Sequence, residues 1–318
     1  MRVIFLGSPK FAIESLKALL ASRHEVVAVV TQPDAAADRG QKVKPCDVKV
    51  FAKNAGLLVL EFDKISRDGG KVLKDLNPDV MVTVAYGQIL SQEIIDIARY
   101  GIINVHASLL PKFRGASPIQ TAIIEGETET GVTIMKTEAG VDTGDILKVA
   151  KTEINERETA GELADRLSLI GAKALIETLD EIETGKIVSK KQMHSNATFT
   201  TKLTKLNCTI NFNKTAKQIS CLVRGSNPDP IARANLNGMQ VKIYEAYPAN
   251  VPSTEQKAGT IIAPTSSKNG VFVQCGIGVL EITKMQLPNG KVVDAKSLVA
   301  GRKLTEGMMF SDYASIKV

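Results

Sequence analysis

Short apolar runs alternate with amphipathic stretches along the first 150 residues. Residues 2–6 (RVIFL), 25–31 (EVVAVVT) and 79–84 (DVMVTV) are rich in β-branched side chains, as strands buried on both faces require. Between the first two, residues 9–21 carry Phe11, Ala12, Leu16, Leu19 and Leu20 at helical spacing, with Ser8 placed as N-cap and Pro9 at the first helical position. Residues 47–55 and 68–76 read as further helices around a strand at 57–60, and residues 161–183 as a long amphipathic helix. Strands alternating with helices imply an α/β domain with a doubly wound, mostly parallel sheet. Ligands of such sheets sit beyond the carboxyl ends of the strands, which locates the site before any motif is considered.

The pattern changes after residue 183. Residues 184–206 (TGKIVSKKQMHSNATFTTKLTKL) are polar and rich in Lys, Thr and Ser without sustained periodicity. One helix is expected at 214–223, then strands at 240–244, 259–262, 271–275 and 279–284, punctuated by Gly, Pro and Asn. That spacing suggests a small β-barrel of the OB type. The expected organisation is a first domain at 1–189, a linker at 190–206 and a barrel at 207–318. A length of 318 residues exceeds the usual size of one core and agrees with two domains.

Charge sharpens this division. Residues 1–204 hold 26 Lys+Arg against 27 Asp+Glu, and residues 205–318 hold 14 against 7, so −1 and +7 sum to the chain's +6. A basic module beside a neutral one suggests a polyanionic partner. No apolar run approaches the roughly 20 residues of a membrane span, and the opening MRVIFLGSPKFA reads as a strand rather than a secretory signal. The expectation is a cytoplasmic protein. Cys46, Cys208, Cys221 and Cys275 form no C-x-x-C pair and have no histidine at metal-ligand spacing, so they are read as ordinary thiols and no metal is expected.

Candidate chemistry concentrates in residues 101–120, GIINVHASLLPKFRGASPIQ. Asn104 and His106, at i and i+2 of a strand, face the same side at a strand end. An amide can donate to a developing oxyanion, and an imidazole can move a proton near neutral pH. Asp142, in AGVDTGD after a strand at 131–136, is flanked by Gly140 and Gly144 in what reads as a tight turn. From residue chemistry alone, acyl-type transfer and hydrolysis are both open. His24 and His194 have no assigned role.

NVHASLLPKFRGASPIQ resembles the N-x-H-x-S-L-L-P-x-x-R-G-x-x-P-I-Q signature of the formyltransferases that use 10-formyltetrahydrofolate, and Asp142 matches the position and D-T-G-D turn of the family's aspartate. GSPKFA and AYGQIL also sit where the family has related segments. The sequence departs from the pattern at Phe113, where relatives often have Trp, and at Ala107, where many have Gly. The resemblance implies a Rossmann-like catalytic domain with Asn104, His106 and Asp142 as catalytic residues. It also implies a folate cleft at Tyr86, Gly87, Gln88, Ile89 and Leu90 and at Ser108, Leu109, Leu110 and Pro111.

Residues 31–44 (TQPDAAADRGQKVK) resemble the inserted loop of the family members that act on initiator methionyl-tRNA, with Arg39, Lys42 and Lys44 as tRNA contacts. Residues 227–238 (NPDPIARANLNG) resemble the second domain of those members. The implied partners are therefore initiator methionyl-tRNA and folate, with no membrane and a monomeric chain. The alternatives are an amine formyltransferase acting on sugar nucleotides, a formyl-folate hydrolase, and a non-catalytic nucleotide- or RNA-binding protein. The last is opposed by the lack of G-x-G-x-x-G after the first strand and by Pro9, which removes a backbone donor.

Overall fold

The computed structural model describes residues 1–37, 42–262 and 270–312. The chain divides into two units that interleave in sequence: Met1–Gly115 with Glu129–Glu153 and Ala164–Thr200, and Ala116–Thr128 with Ile154–Leu163 and Thr201–Val318.

The strands of the first unit are β1 (Arg2–Gly7), β2 (Glu25–Thr31), β3 (Ala35–Ala37), β4 (Lys42–Lys44), β5 (Val59–Glu61), β6 (Val80–Val84), β7 (Ile102–His106), β8 (Arg114–Gly115), β9 (Glu129–Lys136), β10 (Ile146–Glu153) and β11 (Phe199–Thr200). Seven of them form one sheet in the order β10-β9-β7-β6-β1-β2-β5. β5, β2, β1, β6 and β7 run parallel, and β9 and β10 extend the sheet as an antiparallel hairpin. The apolar runs explain the centre: Val3, Ile4, Phe5, Leu6, Val80, Met81 and Val82 are inaccessible to solvent, each worth roughly 1.5–3 kcal/mol when fully buried. Chain order reverses around β1, with β2 on one side and β6 on the other, so a doubly wound switch point lies beyond their carboxyl ends.

Helices α1 (Ile13–Leu20), α2 (Asp47–Asn54), α3 (Ile65–Asp68), α4 (Gly70–Asp75) and α5 (Gln92–Ile95) occupy the connections. Two differ from expectation. The helix expected from Pro9 begins as a 3-10 turn at Lys10–Ala12, and Ser8 caps nothing; its hydroxyl instead accepts the Gln32 N–H at 3.0 Å. The helix expected at 68–76 is two short helices broken at Gly69, where a side chain would meet the Ile65 carbonyl oxygen at 2.8 Å.

α6 (Pro118–Ile124) belongs to the second unit, and α7 (Ala160–Glu183) starts in the second unit and continues in the first. The second unit also holds α8 (Ala216–Gly225), α9 (Ala295–Ala300), and strands β12 (Ala232–Leu236), β13 (Met239–Ala249), β14 (Val271–Gln274), β15 (Val279–Gln286), β16 (Val292–Asp294) and β17 (Phe310–Ser311). The sheet runs β14-β15-β13-β12-β17, with β16 on β15 and every pair antiparallel. Residues 259–262, expected as a strand, instead make isolated bridges: Ile261 pairs with Val273 of β14 and Thr260 with Met309 beside β17. These bridges curl the sheet towards closure, in agreement with the barrel expectation. Its core includes Ile219, Ala234, Val241, Ile243, Leu280 and Ile282, and Phe212 stacks on Phe310 at 5.4 Å. α8 starts with a capping box in which Thr215 and Gln218 satisfy each other's backbone N–H groups, an arrangement not foreseen from the sequence.

Candidate active site

β7 positions the first half of the site. Pairing with β6 and β9 fixes its register, so Asn104 and His106 project to one side with His106 as the last residue of the strand. His106 is only 6% exposed. Its Nε2 lies 3.0 Å from the Phe113 carbonyl oxygen, which can only accept, so Nε2 carries a proton and Nδ1 turns towards Asp142. The Asp142 Oδ2 lies 3.6 Å from that Nδ1, and Asn104 Nδ2 lies 3.5 Å from Oδ1. Both distances are at the outer edge of hydrogen bonding. The amide, imidazole and carboxylate that the resemblance implied as catalytic thus converge.

The turn carrying Asp142 is the second half. Asp142 itself has φ +50°, a left-handed conformation that Asp tolerates better than most residues. Gly144 cannot be replaced freely, because a Cβ there would sit 1.9 Å from the Lys136 carbonyl oxygen. The Gly115 N–H donates to Asp142 Oδ2 at 2.8 Å, and Gln192 Nε2 donates to the carbonyls of Asp142 and Gly144 at 2.9 and 2.7 Å.

The segment after β7 is held from β9. Thr133 Oγ1 donates to the Ser108 carbonyl at 2.7 Å and accepts the Leu110 N–H at 3.1 Å. Ser108 is fully buried and its hydroxyl donates to the Lys112 carbonyl; Leu110 is buried, and Leu109 and Pro111 are half-buried. The segment after β6 is held by glutamines. Gln88 Nε2 donates to Gln32 Oε1 and the Phe62 carbonyl, Gln88 Oε1 accepts the Ile65 N–H, and Gln32 Nε2 donates to the Tyr86 carbonyl. Tyr86 is buried in the core with Ile4, Leu6 and Met81; its hydroxyl has no hydrogen-bond partner among the described residues, and burial pushes the phenol pKa up to about 12. Gly87 is exposed, Leu90 is half-buried, and Ile89 is 87% exposed at the rim.

Arg39 lies outside the described residues, and so does the side chain of Lys42. β4, which contains Lys42 and Lys44, pairs with β3 as a short hairpin, and Lys44 is exposed. Gln32, Thr133, Gly115 and Gln192 hold the site and were not singled out from sequence. Gly115 and Arg114 stood in the R-G of the signature, but a lone Gln192 in a Lys/Thr/Ser run offers no signal. A cleft of about 680 Å³ lined by Tyr100, Ile102, Lys136 and Ile182 contains none of Asn104, His106 and Asp142. Among the described residues no cluster of His, Cys, Asp and Glu could hold a metal, and no helix is long and apolar enough to cross a membrane.

A doubly wound sheet with an amide and an imidazole at one strand end, and a carboxylate brought to them by a turn, has the groups for acyl-type transfer or hydrolysis. The chain belongs to the formyl transferase family, which matches residues 1–179, while that family's C-terminal domain matches residues 202–303. It is 42% identical over 308 residues to the methionyl-tRNA formyltransferase of Acetivibrio thermocellus, covering 96% of this chain and 98% of that protein. It is 43% identical to the methionyl-tRNA formyltransferase of Lachnospira eligens, covering 98% and 100%. In fold it resembles an N-formyltransferase from Helicobacter canadensis crystallised with folinic acid and dTDP-3-aminofucose. The TM-score is 0.66 at 19% identity, over 88% of this chain and 98% of that one.

Proposed function

We propose that this protein transfers the formyl group of 10-formyltetrahydrofolate to the amino group of methionine on initiator methionyl-tRNA, for translation initiation. The observation that carries the reading is the convergence of Asn104, His106 and Asp142 in a chain about 42% identical, over nearly its whole length, to proteins named for that reaction. The catalytic part is residues 1–189, joined through 190–206 to a basic tRNA-binding barrel at 207–318. The enzyme works in the cytoplasm as a monomer.

When bound, the folate supplies the formyl group, whose bond to N10 gives way to a bond with the methionyl nitrogen. Asn104 Nδ2 donates to the formyl oxygen as it gains negative charge. Asp142 orients His106 or a shared water and helps move the proton that the attacking amine loses towards the departing folate nitrogen. His106, fixed through Nε2 by the Phe113 carbonyl, stabilises the same charge or passes the proton on towards the departing nitrogen. Tyr86, Gly87 and Gln88 with Ser108 and Pro111 contact the folate through the main chain, and Ile89, Leu90, Leu109 and Leu110 form its apolar walls. Arg39, Lys42 and Lys44 engage the acceptor end of the tRNA, making binding salt-sensitive.

Incubation of the pure protein with charged initiator tRNA and 10-formyltetrahydrofolate should yield N-formylmethionine after ester hydrolysis. Formylation of an amino-sugar nucleotide in place of the tRNA would transfer the reading to the sugar branch of the family, and formate release without an acceptor would favour the hydrolase. Arg39→Ala should weaken use of charged tRNA while folate binding persists; unchanged kinetics would remove that loop from recognition.

A further inference from the structure

The segment at 190–200 does more than join two domains. Lys190 bridges to Ile146, each N–H donating to the other's carbonyl at 2.8 Å, just after the Asp142 turn. Thr198 Oγ1 accepts the Phe113 N–H at 2.8 Å, the Thr198 carbonyl accepts the Arg114 N–H at 2.9 Å, and β11 pairs with β8. The same stretch of chain therefore touches the loop whose Phe113 carbonyl holds His106 and the turn that presents Asp142.

Gln192 connects the two. It is 5% exposed, and its Oε1 accepts from Nε and Nη2 of Arg114 at 3.2 and 2.7 Å. Its Nε2 donates to the Asp142 and Gly144 carbonyls. Arg114 is 3% exposed; its Nη2 also lies 3.0 Å from His194 Nδ1, and its guanidinium is 6.0 Å from the Phe199 ring. Arg114 directly precedes Gly115, whose N–H donates to Asp142 Oδ2. A primary amide has an acceptor and two donors at one end, so it can face a guanidinium on one side and two carbonyls on the other. A carboxylate could keep the guanidinium but would turn its oxygens against both carbonyls.

We infer that Gln192 is a positioning residue for formyl transfer: through Arg114 it locks the Asp142–Gly144 turn to the loop that orients His106, and so sets where the Asp142 carboxylate stands. The inference rests on the assignment of Asp142 to catalysis. It differs from a role in burying Arg114, because the two make opposite demands on a carboxylate at position 192.

The test compares the full-length protein with Gln192→Ala and Gln192→Glu. Measurements are kcat and KM for charged initiator tRNA and for 10-formyltetrahydrofolate, with hydrogen exchange of the Gly115 amide. A misplacement of about 1 Å can cost about a hundredfold, so kcat should fall between about tenfold and about a hundredfold in both variants, with KM nearly constant. Gly115 protection should fall in both. Gln192→Glu should be no better than Gln192→Ala. Wild-type kcat and protection in Gln192→Glu would overturn the inference and leave Gln192 as a cover for Arg114, as would a loss confined to KM. If Gln192→Ala fails to fold, Gln192→Glu alone decides by the same two readouts. If the wild-type protein forms no N-formylmethionine while Gly115 protection falls in the variants, the functional reading fails and the locking of the turn stands.

Discussion

The two halves of the active site are built in different ways. Asn104 and His106 stand on a strand between β6 and β9, so backbone ladders fix their direction and spacing. Asp142 stands on a turn without such a ladder, in a left-handed conformation, and is placed by Gly115, Gln192 and the close approach of Gly144 to Lys136. The first half inherits its geometry from the sheet. The second depends on individual polar contacts, worth about 0.5–1.5 kcal/mol net for the neutral hydrogen bonds and about 1.5–3 kcal/mol for the one to the Asp142 carboxylate, and should be the easier half to displace without unfolding the protein.

The largest expected effect is on the chemistry of the strand half. Asn104→Ala removes the proposed oxyanion donor and should lower kcat by about a hundredfold to a thousandfold, with circular dichroism and melting temperature preserved. His106→Ala should fall at least as far. Near-normal turnover in either variant would take that residue out of the mechanism.

Gly144→Ala attacks the turn half. The new methyl group collides with the Lys136 carbonyl, so the turn must move, and kcat should fall by about tenfold to a hundredfold while the parallel sheet survives. If kcat and the exchange of the Gly115 amide both stay at wild-type values, the turn is not held as tightly as the comparison requires.

Thr133→Val tests the tie between β9 and the segment following β7. It keeps the side-chain volume but leaves the Ser108 carbonyl and the Leu110 N–H without their buried partner, at a cost of about 1–3 kcal/mol in denaturant unfolding. Folate affinity should weaken more than kcat if the segment at 108–111 lines the folate cleft as proposed. Equal losses in both would mean that the segment also positions His106.

The smallest effect lies outside both halves and calibrates them. The Glu162 carboxyl accepts the Thr159 N–H and hydroxyl at the start of α7, and these bonds hold it below the ordinary value of 4.5. A lowered folded value means that the contribution is present above the unfolded pKa and is lost as pH falls through the folded one. Glu162→Gln should therefore flatten part of the acid decline of the melting temperature and leave kcat at neutral pH unchanged. An acid decline identical to wild type would remove this cap from the stability balance.

The sequence by itself indicated the mostly parallel sheet, because the apolar runs of β1, β2 and β6 alternate with helical stretches. The class of chemistry was legible only through the resemblance of residues 104–120 and the Asp142 turn to the formyltransferase signature, since the spacing of Asn104 and His106 alone left acyl transfer and hydrolysis open. The curled second sheet was legible in outline, although β12 and the bridges at Thr260 and Ile261 were not, since both depend on partners distant in sequence. Only the tertiary structure decided how the carboxylate is brought to the imidazole. Asp142 is positioned through Gln192, 50 residues further along the chain, and no local periodicity records a pairing between one amide and two backbone carbonyls. Burial leaves a repeating trace in sequence because it acts on whole faces of strands and helices; a single hydrogen bond made across the fold leaves none.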